Sequence, residues 1–161
     1  MEHTQYMLAA RRAKRYAARR GFSLIELALV VALIAVLGAI AAPRFASASA
    51  RQRADAAANR LEADLKLAQT TARATSADYT IRFMTKASYE CIAADGTLER
   101  TVSLRNEPYG VTLNYVLDQT GNDLVFNGYG LPDGGGTITI TGGDKTIVLE
   151  VNPITGEVSR P

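Results

Sequence analysis

Apolar residues change their spacing twice along the 161-residue chain. From Phe22 to Ala42 they form an almost unbroken run, FSLIELALVVALIAVLGAIAA, in which Glu26 is the only charged residue. Coiled as a helix at about 1.5 Å per residue, 21 residues reach about 30 Å, the thickness of a bilayer's hydrocarbon core. From about Arg44 to Thr75 the spacing becomes helical: Ala54, Leu61, Leu65, Ala68 and Ala72 recur at three, four and seven residues. Arg53, Arg60 and Asp64 are assigned to the polar remainder of that helix. Gly38 and Pro43 are the only helix breakers between the two stretches, so they are expected to form one long helix, with a kink at Pro43 where the ring removes a hydrogen bond. The exposed half of this helix is expected to pack Leu61, Leu65 and Ala68 onto a sheet.

From Asp78 the period is two. Tyr79, Ile81 and Phe83 alternate with Thr80, Arg82 and Met84; Val111, Leu113, Tyr115 and Leu117 alternate with Thr112, Asn114 and Val116; Ile138 with Ile140, then Ile147, Leu149 and Val151, repeat the pattern. These are half-buried antiparallel strands. Residues 88–93 and 97–104 flank the turn Ala94-Asp95-Gly96, and residues 137–141 join 146–151 through Gly142-Gly143-Asp144-Lys145, a hairpin signal. Asn152-Pro153-Ile154-Thr155-Gly156 makes a further turn into a short last strand from Glu157. The predicted fold is α+β: a long N-terminal helix, half membrane and half amphipathic, packed on an antiparallel β-rich head.

Charge changes this picture. The formal net charge is +2, yet Arg11, Arg12, Lys14, Arg15, Arg19 and Arg20 against Glu2 place +5 before Gly21. The remaining 12 basic and 15 acidic residues leave the rest of the chain near −3. A net basic footprint is the first sign of a phosphate-binding surface, so nucleic acid is not an expected partner. The six cations set orientation by the positive-inside tendency, with the N-terminus cytoplasmic and the chain beyond Pro43 on the far side. A carboxylate in a membrane segment is costly and functional by default, so Glu26 needs a partner.

At these residues the chain resembles the type IV pilins and the pseudopilins of type II secretion. Arg19-Arg20-Gly21, then Phe22-Ser23-Leu24-Ile25-Glu26 and a long aliphatic run, carry the resemblance. It implies a leader at residues 1–21, removed by a prepilin peptidase cutting after Gly21, with methylation of the new Phe22 amine. It implies that Glu26 pairs with the terminal amine of a neighbouring subunit during fibre assembly, and that the helix between Gly38 and Pro43 loosens as the fibre packs. The resemblance divides the chain into the leader (1–21), a transmembrane and assembly helix (22–43), an amphipathic helix (44–76) and a β-rich, pilin-like head (77–161). The tail narrows it: Phe126-Asn127-Gly128-Tyr129-Gly130, Asp133-Gly134-Gly135-Gly136 and Thr155-Gly156-Glu157-Val158 are similar to the end of the H-type minor pseudopilin domain. Glu157 stands where many members have arginine, leaving Arg160 as the nearby cation. The implied partners are the peptidase, the bilayer, other pseudopilins or pilins at a fibre tip, and secreted cargo.

Other readings of the same stretch are a secretory signal cut at Ala46-Ser47-Ala48 or Ala48-Ser49-Ala50, a twin-arginine signal, and a simple helix-dipole role for Glu26. The apolar run exceeds a secretory h-region of about 7 to 15 residues. A minor type IV pilin for adhesion or DNA uptake, and a soluble exported binding module, are the alternative functions.

No site chemistry emerges elsewhere. The glycine clusters lack GxxxxGK[ST] or GxGxxG spacing and are assigned to loop geometry. Asp118, Asn122, Asp123 and Asp133 fit no compact calcium loop. His3, the one histidine, lies in the leader, and one cysteine, Cys91, permits no intrachain disulfide and is expected buried. Tyr79, Tyr89, Tyr109, Tyr115 and Tyr129 are assigned to core or strand positions rather than to a base-stacking platform. Enzymatic activity, a cofactor and a metal are not expected.

Overall fold

The computed structural model describes residues 21–161. The leader cations and His3 lie outside them. One helix, α1, spans Leu24–Thr75, 52 residues, and eight strands follow: β1 Tyr79–Thr85, β2 Ser88–Ala93, β3 Leu98–Ser103, β4 Thr112–Leu117, β5 Asp123–Phe126, β6 Gly136–Gly142, β7 Lys145–Val151 and β8 Val158–Ser159. The chain divides between Ala39 and Ile40 into two compact units.

In the described part of the first unit, residues 21–23 precede the helix and every residue from 21 to 39 is exposed. No described residue of this unit covers its aliphatic side chains. The helical run is not interrupted at Gly38 or Pro43.

The second unit holds two four-stranded antiparallel sheets, ordered β3-β2-β1-β5 and β4-β6-β7-β8. Alternation decides which faces are buried: Tyr79, Ile81 and Phe83 of β1, Ile138 and Ile140 of β6, and Ile147, Leu149 and Val151 of β7 turn into one core with α1. The β6–β7 turn has two residues, Gly143 and Asp144, with Gly143 at φ +62°, the left-handed geometry that suits a tight hairpin. The sheets meet where Leu113 N donates to Lys86 O and where the Phe83 and Tyr115 rings stack 4.8 Å apart.

Two features differ from the sequence reading. β5 is a strand that the periodicity did not mark; with four residues it offers only Leu124 and Phe126 as inward positions. Asp64 is not on the polar side of α1: it is buried among Leu61, Leu65 and Ala68.

Candidate functional site

Helix α1 carries the residues that the assembly reading singles out. At its start Ser23 stands at the N-cap, its carbonyl accepting the Leu27 amide at 3.0 Å, and Glu26 falls in the first turn. Ser23-Leu24-Ile25-Glu26 therefore has the S-x-x-E spacing of a capping box, which suits a carboxylate at the positive end of the helix dipole. That spacing is legible in the sequence itself. Glu26 has no basic side chain within 4.0 Å among the described residues. Phe22, Leu24 and Ile25 are about as open as side chains can be. A Cβ built on Gly21, or on Gly38, would meet nothing within 4 Å, and neither has a left-handed φ. Nothing among the described residues requires glycine at either position. The helix is long and apolar enough to cross a membrane, and its most apolar window is wholly unburied.

Further along, α1 is fastened to the head. Ala54, Ala57, Ala58, Leu61, Leu65, Ala68 and Ala72 have no exposed surface. Small alanines let the backbone approach the sheets closely, while Leu61 and Leu65 fill the space between. Within this apolar seam the Asp64 carboxylate accepts from Tyr89 Oη at 2.7 Å, from an Arg100 terminal nitrogen at 2.8 Å and from Arg60 Nε at 3.0 Å. A buried charge is tolerable only when paired and hydrogen-bonded, and three donors meet that condition. Burial, then the Asp64 bond, pushes the Tyr89 hydroxyl pKa well up, so it stays a donor. Cys91, free and buried beneath Arg100, has its thiol pushed up chiefly by burial.

A second set of contacts runs along one flank. Arg51 pairs with Asp144, Asp55 with Lys145 at 2.7 Å, and Glu62 with Arg160 at 2.9 Å and Lys66 at 2.7 Å. The Arg51 guanidinium holds the Asp144 carboxyl below its ordinary range, and Lys66, then Arg160, do the same for Glu62. Beyond them Gln69 Nε2 donates to Gly130 O and Thr155 O, each at 2.9 Å, and Arg73 Nε donates to Tyr129 O at 3.0 Å. Gly128 and Gly130 serve this close approach: a Cβ on Gly128 would lie 2.7 Å from the Ser76 backbone, and Gly130 has φ +71°.

The set-aside residues are engaged in the same fold. Asp118 accepts the Gly135 amide, Asp133 the Val125 amide, and Asp123 pairs with Arg82. Among the described residues no three acidic, cysteine or histidine side chains gather as a metal site. Of the tyrosines, Tyr79 and Tyr89 are core, Tyr109 and Tyr115 half-buried and Tyr129 exposed. The assignment of Tyr129 to the core or a strand is thereby corrected: it stands on a loop between β5 and β6.

Comparison with known proteins agrees with this arrangement. The prokaryotic N-terminal methylation motif matches residues 16–42, and the family described as type II transport protein GspH matches residues 57–156. Among solved structures, the type IV minor pilin FimU of Pseudomonas aeruginosa (strain PAO1) superimposes in one crystal form with a TM-score of 0.55 at 18% identity, covering 69% of this chain and 90% of FimU. A second crystal form of FimU gives 0.50 at 19% identity, over 66% and 91%. At such identities the likeness is one of fold, and that fold is pilin-like. No curated protein matches significantly. Family and fold are those of structural, pilin-like subunits, and an N-terminal methylation motif joined to a GspH region over 57–156 gives the assignment: the chain belongs to the GspH family of type II transport proteins.

Proposed function

We propose that this chain is a minor pseudopilin of the type II secretion system, a structural subunit of the periplasmic pseudopilus that works in tip assembly. The observation that carries the reading is the GspH region joined to a methylation motif in one chain. A prepilin peptidase removes residues 1–21 after Gly21 and methylates Phe22. Residues 22–43 then hold the subunit in the inner membrane, with the N-terminus cytoplasmic and the head periplasmic. Glu26 sets register by pairing with the Phe22 amine of a neighbour; a partner supplied in assembly accounts for an intramembrane carboxylate with no cation near it among the described residues. Gly38 and Pro43 form the segment that yields on packing. The amphipathic helix, residues 44–76, mounts the 77–161 head through Leu61, Leu65 and Ala68, and the head meets other tip subunits or secreted cargo.

The test is the intact mass and N-terminal residue of the protein from native membranes, followed by deletion of its gene. Methylated Phe22 with loss of protein secretion and intact pili is the expected result. Loss of pili with normal secretion would instead support a minor type IV pilin, the second reading, which rests on the likeness of fold to FimU. An N-terminus near Ala48 or Ala50 would replace both with a soluble exported module.

A further inference from the structure

Cations gather at the end of the second unit where α1 enters it. The helix arrives through Ile40-Ala41-Ala42-Pro43, and Arg44 and Phe45 follow the apolar run directly. Phe45 is 79% exposed. Lys86, between β1 and β2, and Arg105, between β3 and β4, are exposed on loops that adjoin where Leu104 N donates to Ala87 O at 2.7 Å. The loop of Arg105 lies against α1: the Arg53 guanidinium stands beside Gly110 and 4.0 Å from the Glu107 carboxylate. Arg51 and Lys145, nearby, are matched by Asp144 and Asp55. Arg44, Lys86 and Arg105 have no carboxylate within 4.0 Å among the described residues. Arg44, Arg53, Lys86 and Arg105 thus stand against Glu107, and this end is basic.

Neither packing nor topology accounts for this excess. All four cations are exposed, and Arg44 and Arg53, just past the apolar run, work against the orienting signal of the six cations before Gly21. Reach decides what they can meet. From Pro43 to Arg53 the helix rises about 15 Å, and a headgroup layer is about 5–8 Å deep on each side of the hydrocarbon. Arg44 and Phe45 fall within that layer when residues 22–43 span the membrane. Arg53, with the Lys86 and Arg105 loops at its level, stands about 7–10 Å above it, close to the Debye length of about 8 Å at physiological salt. A tilt of about 20°, common for membrane helices, brings one side nearer still.

We propose that this end of the head docks on the anionic phospholipid headgroups of the bilayer that α1 leaves, through Arg44, Arg53, Lys86 and Arg105. A charged bilayer attracts basic residues beside a membrane helix, and the continuity of α1 makes that bilayer the surface always within reach. The proposal rests on the reading of residues 22–43 as a membrane segment. It adds a resting state to that reading: before assembly the head is drawn down onto the lipid by charge, a hold shallow enough for salt to release.

Energy transfer tests it on the full chain reconstituted in vesicles. An uncharged donor dye on Asn106→Cys reads the basic end, and one on Ala94→Cys reads the β2–β3 turn at the opposite ends of those strands, with the acceptor on a lipid headgroup. Cys91 is buried and stays unlabelled. From Asn106→Cys, transfer is expected to be about twofold higher in vesicles with about 30% phosphatidylglycerol than in pure phosphatidylcholine, and to return to the neutral value at about 500 mM sodium chloride. From Ala94→Cys the rise should be smaller. Adding Lys86→Glu with Arg105→Glu should abolish the difference between lipids while keeping the melting temperature. Equal transfer in the two lipids, a charge-reversed variant that responds like its parent, or a rise at Ala94→Cys as large as at Asn106→Cys would overturn the docking. Flotation of the same samples separates the two claims: a chain that floats with neutral vesicles but shows no response to anionic lipid refutes only this inference, whereas a chain left in the soluble fraction refutes the membrane reading.

Discussion

Asp64 of α1 and Tyr89 of β2, 25 residues apart, share a 2.7 Å hydrogen bond inside the seam between helix and sheet. Arg100 joins them from β3, so one carboxylate ties the helix to two neighbouring strands. Removing the hydroxyl should leave one carboxylate site empty but both arginines in place. Tyr89→Phe is expected to cost about 1–2 kcal/mol in urea unfolding. Asp64→Ala, which strands two guanidiniums and opens a void, should cost about 3 kcal/mol. Equal losses for the two variants would remove the carboxylate from its central place.

Glu26 and Gly21 are exposed and do no packing among the described residues. Glu26→Ala should be cleaved and inserted like the wild type yet be absent from sheared fibres; normal incorporation of the variant would sink the charge-pairing role. Gly21→Leu should fold normally and, on the proposed processing, stay uncleaved, as read by its mass, because nothing among the described residues demands the missing side chain.

Glycines in the head divide by what surrounds them. At Gly128 a methyl would press within 2.8 Å of the Ser76 carbon and oxygen, which are backbone and have little room to yield. Gly96, by contrast, has open space and only a left-handed φ of +82° against it. Gly128→Ala should cost about 3 kcal/mol and Gly96→Ala about 1 kcal/mol. Thermal melts of the two variants check the order.

Acid should loosen the flank of α1. Asp144 is held below its ordinary 3.8 by Arg51, and Glu62 below 4.5 by Lys66 and Arg160. For a depressed carboxylate the stabilisation is complete above the unfolded value and is lost as pH falls through the lower, folded one. The urea midpoint should therefore hold from pH 7 to about 5 and drop below about 4.5. Glu62→Gln should shrink the drop; an unchanged profile would show that this pair contributes nothing to the mount.

Much of this architecture is written locally. The change from a period near 3.6 to a period of two is enough to mark α1 and most strands, because each face's burial follows from its own residues. β5 escaped because two inward positions do not make a period. Asp64 escaped for a different reason: a carboxylate within a helical repeat looks solvated until Tyr89 and Arg100 arrive from 25 and 36 residues away. The N-terminal motif is legible as chemistry, yet its residues have no basic or packing partners among those described, so the fold of the described residues does not account for them.

Three ion pairs on the flank of α1, Arg51 with Asp144, Asp55 with Lys145 and Glu62 with Arg160, join residues 93, 90 and 98 positions apart. Every one waits for the last eighteen residues of the chain. Synthesis runs from the N-terminus, so the helix is made long before Asp144, Lys145 and Arg160 exist to clasp it. The flank of α1 stays unclasped until translation is nearly complete, so a subunit truncated near its C-terminus would lose its mount rather than merely its tail.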